Sequence, residues 1–173
     1  MVRLTPLLLA FALCGCASLP PNAGKPVSHA LLDTAQTRLG RAVAPGIAAR
    51  PGLSAFYPVG DGADAFLARV ALARAAERTL DVQYYIFHAD NTGGALMGEL
   101  LAAADRGVRV RLLVDDLHAG PHEEALAAID LHPGIEVRLF NPFARRAARW
   151  LDFVTDFGRV NRRMHNKSMT ADS

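Results

Sequence analysis

The chain has 173 residues, of which 51% are apolar, and its formal net charge is +2. This composition describes an ordinary globular protein with a hydrophobic core and excludes a highly charged, disordered chain. The only two cysteines, Cys14 and Cys16, lie close together near the start, so a disulfide-stabilised scaffold is excluded as well.

The first residues have the features of a bacterial export signal. An apolar stretch, residues 4–13, is too short to span a bilayer, and the Leu-Cys-Gly-Cys run at 13–16 resembles a lipobox. We expect residues 1–15 to be a lipoprotein signal peptide and Cys16 to be lipidated, which anchors a protein firmly when two or more acyl chains are attached. Because Ala17 provides no inner-membrane retention signal of the aspartate kind, we expect the outer membrane, facing the periplasm. An ordinary secretory signal with incidental cysteines is the alternative.

Residues 16–55 are predicted to form a lipid-anchored tether that carries one short helix. Prolines and glycines are frequent in its first part, which favours an extended linker. Ser28 can cap an amphipathic helix whose apolar side carries Leu31, Leu32, Ala35, Leu39 and Val43. Pro45-Gly46 and Pro51-Gly52 are expected to break the chain after this helix.

From about residue 56 onward the pattern alternates between helix and strand. Helices are predicted over 61–78 with Asp61 as cap, from Asn91 or Thr92 to a left-handed exit at Gly107, from Pro121 onward, and over 144–157. Strands are predicted over 79–87, 108–115 and 135–140. Successive strand–helix units predict an α/β sandwich, with a largely parallel sheet flanked by helices.

Side chains at the ends of two predicted strands are candidate site residues, but a structural role is favoured for each. Asp115, Asp116 and His118 follow the second strand, where open α/β sheets often place ligands. They are too bunched to chelate an ion without a tight loop, so loop-capping carboxylates are favoured over a metal site. Tyr84 and Tyr85 point to opposite faces of the first strand, and core packing is the default for both.

Positive charge is concentrated in one late segment. Residues 138–167 hold eight Arg or Lys against Asp152 and Asp156, a net +6, so the rest of the chain carries a net −4. Such a segment attracts anionic headgroups or nucleic acid, and a solvated cationic face is the alternative.

The most informative pattern is His165-x-Lys167-x4-Asp172. On a strand, residues i and i+2 project to the same face, so His165 and Lys167 are expected to point together. An imidazole beside a fixed positive charge suits chemistry at a phosphate ester. With six His, two Lys and twelve Asp in the chain, about 0.005 accidental matches are expected, so composition does not explain the pattern. A solvated basic turn with a surface histidine is the alternative.

The flanks of this motif resemble the phospholipase D superfamily. The Asp-Phe-Gly-Arg-Val-Asn-Arg-Arg-Met run at 156–164, which precedes His165, is similar to the superfamily's first catalytic motif. Residues 80–86, 107–116 and 137–142 resemble the bacterial cardiolipin synthase C-like branch. The resemblance extends over most of the chain after residue 55.

The resemblance implies a two-step phosphoryl transfer without a metal or other cofactor. One histidine attacks phosphorus to give a phosphohistidine, and a second, from another copy of the motif, protonates the leaving alcohol. The lysines stabilise negative charge on the phosphate oxygens. On this chain His165 is then a nucleophile or general acid and Lys167 a phosphate clamp. Asp172 completes the catalytic motif, and we interpret it as a structural hydrogen-bond partner.

Superfamily members carry two such motifs, in one chain or one per subunit of a symmetric dimer, and the sequence contains one. We therefore expect residues 56–173 to be an incomplete phospholipase D-like catalytic domain that is inactive alone. A missing C-terminal half or a second subunit would supply the second motif.

The favoured function is a phosphodiesterase or phosphatidyltransferase that acts on membrane phospholipids, with cardiolipin synthesis as its specific form. Membrane contact is expected through the anchor and the basic segment, and nucleic acid is not an expected partner. A single-motif homodimeric nuclease and a non-catalytic envelope lipoprotein that binds anionic lipid are the alternatives.

Overall fold

The computed structural model describes residues 18, 19, 24 and 26–173. The predicted signal peptide at 1–15 and the predicted lipidation site Cys16 lie outside the described residues and stay predictions. The helices are α1 (Arg38–Ala49), α2 (Gly62–Ala75), α3 (Asn91–Asp105), α4 (Asp116–Ala119), α5 (Glu123–Asp130), α6 (Arg149–Thr155) and α7 (Phe157–Val160). The strands are β1 (Thr79–Tyr84), β2 (Arg109–Asp115), β3 (Ile135–Phe140) and β4 (Lys167–Ala171), and 3₁₀ turns occupy Gly120–His122 and Arg146–Ala148.

These strands form a single sheet in the order β3–β2–β1–β4. β1, β2 and β3 are parallel, and β4 is antiparallel to β1 at the edge. The helices between the parallel strands make this an α/β fold with a largely parallel sheet, which confirms the predicted fold class. The end of the sheet where β1, β2 and β3 finish and β4 begins is called the carboxyl edge below.

The hydrophobic core lies on one face of the sheet. Alternate strand residues point to this face, as the two-residue period of a strand requires, and α2, α3 and α5 cover it. Helices and strands bury the following apolar side chains together: Ala73, Leu80, Val82, Leu100, Ala103, Val110, Leu112, Val114, Leu126, Ile135 and Val137. At about 25 cal/mol per Å² of apolar surface, burial of this layer is the main stabilising contribution to the fold.

The opposite face of the sheet is polar, and residues 26–31 cross it. Arg111 forms an ion pair with Asp81, its partner across β1 and β2. The arginines of β2 and β3 also hold the crossing segment: Arg111 donates to the carbonyl oxygen of Ser28 at 3.1 Å, and Arg138 to that of Pro26 at 2.6 Å. Because these carbonyls accept bonds from the sheet, the helix predicted to begin at Ser28 does not form there.

α1 begins nine residues later than predicted and continues further. Thr37 caps it, since its hydroxyl accepts a 3.0 Å hydrogen bond from the backbone N–H of Gly40. The helix includes Pro45 and ends at Ala49, so the break predicted at Pro45-Gly46 is wrong. A turn does follow at residues 51–52, where Gly52 has a φ of +77°.

Hydrogen bonds from distant or neighbouring acids shift other predicted boundaries. α2 is capped by Asp61 as predicted but ends at Ala75. The N–H of Ala76 still donates to the carbonyl oxygen of Leu72, whereas those of Glu77 and Arg78 donate to the carboxylate of Asp172 instead of to the helix. α3 is capped by Asp90, one residue before the predicted cap, and its carboxylate accepts from the N–H of Gly93 at 2.8 Å. The predicted left-handed exit at Gly107 is confirmed by its φ of +90°.

The helix predicted over 144–157 is interrupted at its start. The backbone N–H and the guanidinium of Arg145 both bind the buried carboxylate of Asp152, at 3.0 and 2.6 Å. This contact holds residue 145 outside the helix, and a 3₁₀ turn leads from there into α6. The strand predicted over 79–87 is shorter and ends at Tyr84.

Candidate active site

The His-x-Lys motif lies at the carboxyl edge of the sheet. β4 starts at Lys167, and the residues before it run beside the end of β1. The backbone N–H of Tyr85 donates a 2.8 Å hydrogen bond to the carbonyl oxygen of Asn166, which extends the pairing past Tyr84. His165 and Lys167 are thus fixed by backbone pairing at the edge where open α/β sheets place their ligands.

The imidazole and the ammonium of the motif converge on one aromatic ring. The rings of His165 and Tyr85 meet edge to face, with 4.7 Å between centroids, and Lys167 Nζ lies 5.8 Å from the Tyr85 centroid. Both motif side chains are exposed. The predicted geometry, in which His165 and Lys167 point together into accessible space, is therefore what the structure shows.

Tyr85 brings a second imidazole to the same place. The His118 ring meets the Tyr85 ring edge to face at 5.2 Å between centroids. His118 belongs to α4, which starts directly after β2, whereas His165 precedes β4. The interpretation of Tyr85 as a core residue is wrong, while Tyr84 does pack against the core and touches Phe87 at 5.4 Å.

Lys167 has a free charge with which to bind an anion. It makes no ion pair with any residue in the part of the chain that the structure describes, and its ammonium lies over the ring of Tyr85. An ammonium over an aromatic face keeps its hydrogen-bond donors available, because the ring attracts it through its quadrupole. A phosphate oxygen beside His165 can accept hydrogen bonds from this ammonium.

Asp115 fixes the chain immediately before His165. Its carboxylate is fully buried and accepts from the backbone N–H of Met164 at 2.8 Å and from the Arg163 guanidinium at 2.9 Å. The same carboxylate caps α4 by accepting from the N–H of Leu117 at 2.9 Å. One buried acid therefore holds both the residue before His165 and the helix that carries His118.

Asp116 holds the segment that follows β3. This buried carboxylate accepts from the backbone N–H of Phe143 at 2.7 Å and pairs with Arg146, while Arg149 lies 3.5 Å away. Burial opposes the charge of Arg146, but hydrogen bonds to Glu123 and Asp116 outweigh it and raise the pKa of Arg146.

No group of three or more metal-ligating side chains occurs among the described residues.

Most arginines of the basic segment form ion pairs, some with neighbouring acids and some with acids distant in sequence. Its arginines pair as follows: Arg138 with Glu136, Arg145 with Asp152, Arg146 with Asp116 and Glu123, Arg149 with Asp116, Arg159 with Asp156, and Arg163 with Asp115. The net +6 counted along the sequence therefore overstates the charge available to a ligand. Arg162 and Lys167 are exposed and have no carboxylate partner in the described part of the chain.

Asp172 lies at the far end of β4 from Lys167, away from the carboxyl edge. Its carboxylate accepts hydrogen bonds from the backbone N–H groups of Glu77, Arg78 and Thr79, at 2.8 to 3.2 Å. Burial alone would raise the pKa of Asp172, but these backbone bonds and the Thr37 hydroxyl outweigh burial and lower it. The residue joins the end of β4 to the start of β1, which is a structural connection.

A cleft of about 320 Å³ opens at the carboxyl edge between β1 and the starts of α2 and α3. Its walls are mainly apolar and include Phe66, Ile86, Phe87 and Leu96. Tyr84 also lines it, and Tyr84 is the strand partner of Lys167. The cleft also contains Arg69 and Asp90, and it reaches the strand partner of Lys167 but is not lined by His165 or Lys167.

Comparison with known proteins identifies the family. Residues 70–173 match the family described as "Cardiolipin synthase, PLD-like domain". This match covers more than half of the chain, and the chain therefore belongs to that family, a branch of the phospholipase D superfamily. The resemblance drawn from the motif and its flanks is confirmed.

The chain is similar to several bacterial proteins. It is 54% identical over 135 residues to cardiolipin synthase C of Escherichia coli (strain K12), a match over 78% of this chain and 28% of that protein. It is 34% identical over 172 residues to an uncharacterized protein of Helicobacter pylori (strain J99 / ATCC 700824), over 96% of this chain and 34% of that protein. The chain thus spans about a third or less of the length of these curated relatives. Among solved structures, NucT from Helicobacter pylori matches with 18% identity and a TM-score of 0.38, over 45% of this chain and 47% of that one.

The length and polarity of the helices bear on whether any of them can span a membrane. None of those within the described residues is both long and apolar enough to cross a bilayer.

Proposed function

We propose that the chain carries one half of the active site of a phospholipase D-type enzyme that acts on phospholipids. The observation that supports this most directly is the convergence of His165 and Lys167 on Tyr85, at an accessible edge of the sheet. Membership of the cardiolipin synthase family supports the same chemistry. Transfer of a phosphatidyl group to an alcohol, with cardiolipin as product, is the most specific form of the proposal.

The proposed reaction starts with His165 as nucleophile. An imidazole nitrogen forms a bond to phosphorus while the bond from phosphorus to the headgroup oxygen breaks, which gives a phosphohistidine. Lys167 binds a non-bridging phosphate oxygen and stabilises its charge as the transition state forms. A second alcohol or water then attacks phosphorus and releases His165.

The leaving oxygen needs a proton, and the attacking alcohol or water must give one up; the proposal assigns both transfers to the histidine of a second His-x-Lys motif. That motif would come from another part of a longer chain or from a second subunit. Lipid attachment at Cys16 and a position at the outer membrane facing the periplasm complete the proposal. Both would keep the site close to its substrate.

The apolar cleft supports a lipid rather than a nucleic acid as substrate. A phospholipid has an anionic phosphodiester joined to apolar chains, and the structure offers a cationic motif and, on the far side of Tyr84, a mainly apolar cleft. A nucleic acid instead requires a run of unpaired cations along its backbone. In this chain most arginines of the basic segment are already paired.

Lipid turnover by the protein expressed from its full reading frame tests the proposal. Vesicles containing phosphatidylglycerol are the substrate, and mass spectrometry identifies the products. We expect turnover in EDTA, and we expect His165→Ala to lower the rate by about a thousandfold or more. The matched control is His132→Ala, which removes an imidazole bound to Asp105 rather than to the motif.

A trapped intermediate locates the nucleophile. An alkaline quench preserves a phosphoramidate bond, so peptide mapping should find the phosphatidyl adduct on His165. An adduct on another residue, or wild-type turnover by His165→Ala, would exclude His165 as the nucleophile. Cleavage of DNA without any phospholipid product would support the nuclease alternative and overturn the proposal.

A further inference from the structure

The described residues include one long surface that the body of the protein leaves open. From residue 41 to residue 59 every residue is exposed, across most of α1 and the segment that follows it. Only the start of α1 is attached: Thr37 is buried, and the backbone N–H of Arg38 donates to Glu77 at 2.8 Å. We call residues 38–59 the α1 surface.

α1 is amphipathic, and its apolar side faces solvent. Leu39, Val43 and Ile47 follow one another at intervals of four, so they lie along one side of the helix. None of the helix residues is buried, and 53% of Val43 and 60% of Ile47 is exposed. Arg38 and Arg41 lie on the opposite side of the helix, since they are offset from this row by more than a quarter turn.

The segment after α1 also exposes aromatic and aliphatic side chains. Phe56 is 91% and Tyr57 89% exposed, and Leu53 is 69% exposed. A single exposed apolar residue is ordinary, but a continuous series of them marks an interaction site. Aromatic rings such as those of Phe56 and Tyr57 are typical of surfaces that enter the interface of a bilayer.

Charge identifies the occupant of this surface. Between Asp33 and Asp61 the sequence has no carboxylate, whereas Arg38, Arg41 and Arg50 are present. Arg38 pairs with Glu77, whereas Arg41 and Arg50 have no carboxylate partner in the described part of the chain. An apolar row flanked by these two cations complements anionic lipid headgroups.

We propose that the α1 surface docks the protein on an anionic membrane. α1 lies in the plane of the interface with Val43 and Ile47 toward the acyl chains, and Phe56 and Tyr57 enter beside them. Arg50 binds lipid phosphates. This surface is separate from the His165 motif, so the inference does not depend on the chemistry proposed there.

A local fluorescent reporter tests the proposal on the intact chain. Trp150 is the only tryptophan, so Trp150→Phe with Tyr57→Trp places one reporter on the α1 surface. With vesicles of phosphatidylglycerol and phosphatidylcholine in equal parts, we expect a blue shift and quenching by brominated acyl chains. The control reporter is Leu131→Trp in the same background, because Leu131 is 85% exposed but lies at the end of α5. It should not respond, and because each reporter senses its own site, other membrane contacts of the chain do not produce the expected difference.

Substitutions then separate the apolar and electrostatic contributions. Ile47→Asp should lower vesicle binding at the position-57 reporter by about tenfold or more, and Leu131→Asp should leave it unchanged. Arg50→Gln should weaken binding to anionic vesicles and leave the weaker binding to pure phosphatidylcholine unchanged. Circular dichroism confirms that the exposed substitutions leave the fold intact.

Three outcomes would overturn the proposal. One is a position-57 reporter that does not respond to anionic vesicles. Another is a reporter that is already blue-shifted without lipid, which would show that a second copy or another protein segment covers the surface. The third is equal binding by Ile47→Asp and the parent protein.

Discussion

The backbone N–H of Met164 donates a 2.8 Å hydrogen bond to the buried carboxylate of Asp115. The two residues are 49 positions apart, and the bond ties the chain just before His165 to the end of β2. Arg163 reinforces it with a bond to the same carboxylate at 2.9 Å. The position of the candidate nucleophile thus depends on a buried acid that is not part of its motif.

Asp115→Asn should reduce both stability and lipid turnover. The variant leaves the guanidinium of Arg163 buried without its carboxylate, which typically costs about 3–5 kcal/mol of unfolding free energy. We expect turnover per folded molecule to fall about tenfold as well, because the residue before His165 loses its anchor. Urea unfolding and the lipid assay measure the two effects. The matched control is Asp81→Asn, which breaks the partly exposed pair with Arg111 on the other face and should cost about 1 kcal/mol or less. Wild-type turnover by folded Asp115→Asn would contradict the positioning role.

Asp172 should make stability depend on pH in the acid range. Its folded pKa lies below its ordinary value, so its contribution is present above the pKa of the unfolded chain, near 3.8. That contribution is lost as the pH falls through the lowered folded pKa. Asp172→Asn should therefore lower the free energy of unfolding at neutral pH, and the difference from wild type should shrink toward pH ~3. Asp64→Asn is the control, since Asp64 is exposed at the start of α2. A constant difference at all pH values would show that the carboxylate charge is not responsible.

Tyr85 should act through its ring rather than its hydroxyl. Tyr85 contacts the His165 ring and Lys167 Nζ through its aromatic ring. Tyr85→Phe should therefore keep turnover within about twofold of wild type, while Tyr85→Leu should lower it about tenfold through loss of the edge-to-face and cation–π contacts. Unfolding measurements on both variants control for stability. Equal rates for the leucine and phenylalanine variants would exclude the ring as the positioning element.

Two adjacent glycines in α3 should respond in opposite directions to alanine. A Cβ at Gly93 would lie 1.8 Å from the carbonyl oxygen of His88, whereas nothing lies within 4 Å of a Cβ at Gly94. Gly93→Ala should lower the free energy of unfolding by about 2 kcal/mol or more, because backbone must move to admit the methyl group. Gly94→Ala should raise it by about 0.5–1 kcal/mol, since alanine favours a helix interior. Thermal or urea unfolding compares the two, and similar effects would contradict the close approach of residue 88.

Local patterns in the sequence predicted much of the sheet. The strand at 135–140 has the predicted bounds, and β1 and β2 start within one residue of theirs. These strands are defined by short-range alternation and by β-branched residues, which act at the level of a few neighbours. The predicted end of α2 was wrong, and an acid distant in sequence binds the chain at that point. The carboxylate of Asp172 accepts hydrogen bonds from the N–H groups of Glu77 and Arg78, just beyond α2, and the sequence between 61 and 78 gives no indication of this contact.

The sequence by itself determined the α/β class, the family and the projection of His165 and Lys167 to the same side of the chain. Strand periodicity and a short motif depend on only a few neighbouring residues. Only the tertiary structure decided that Tyr85 and His118 lie beside the motif and that Asp115 and Asp116, outside the basic segment, pair with three of its arginines. Those contacts close loops of tens of residues, as when Asp116 meets Arg146 and Asp115 meets Arg163. Such contacts depend on which strand ends lie side by side, and local pattern does not encode that order.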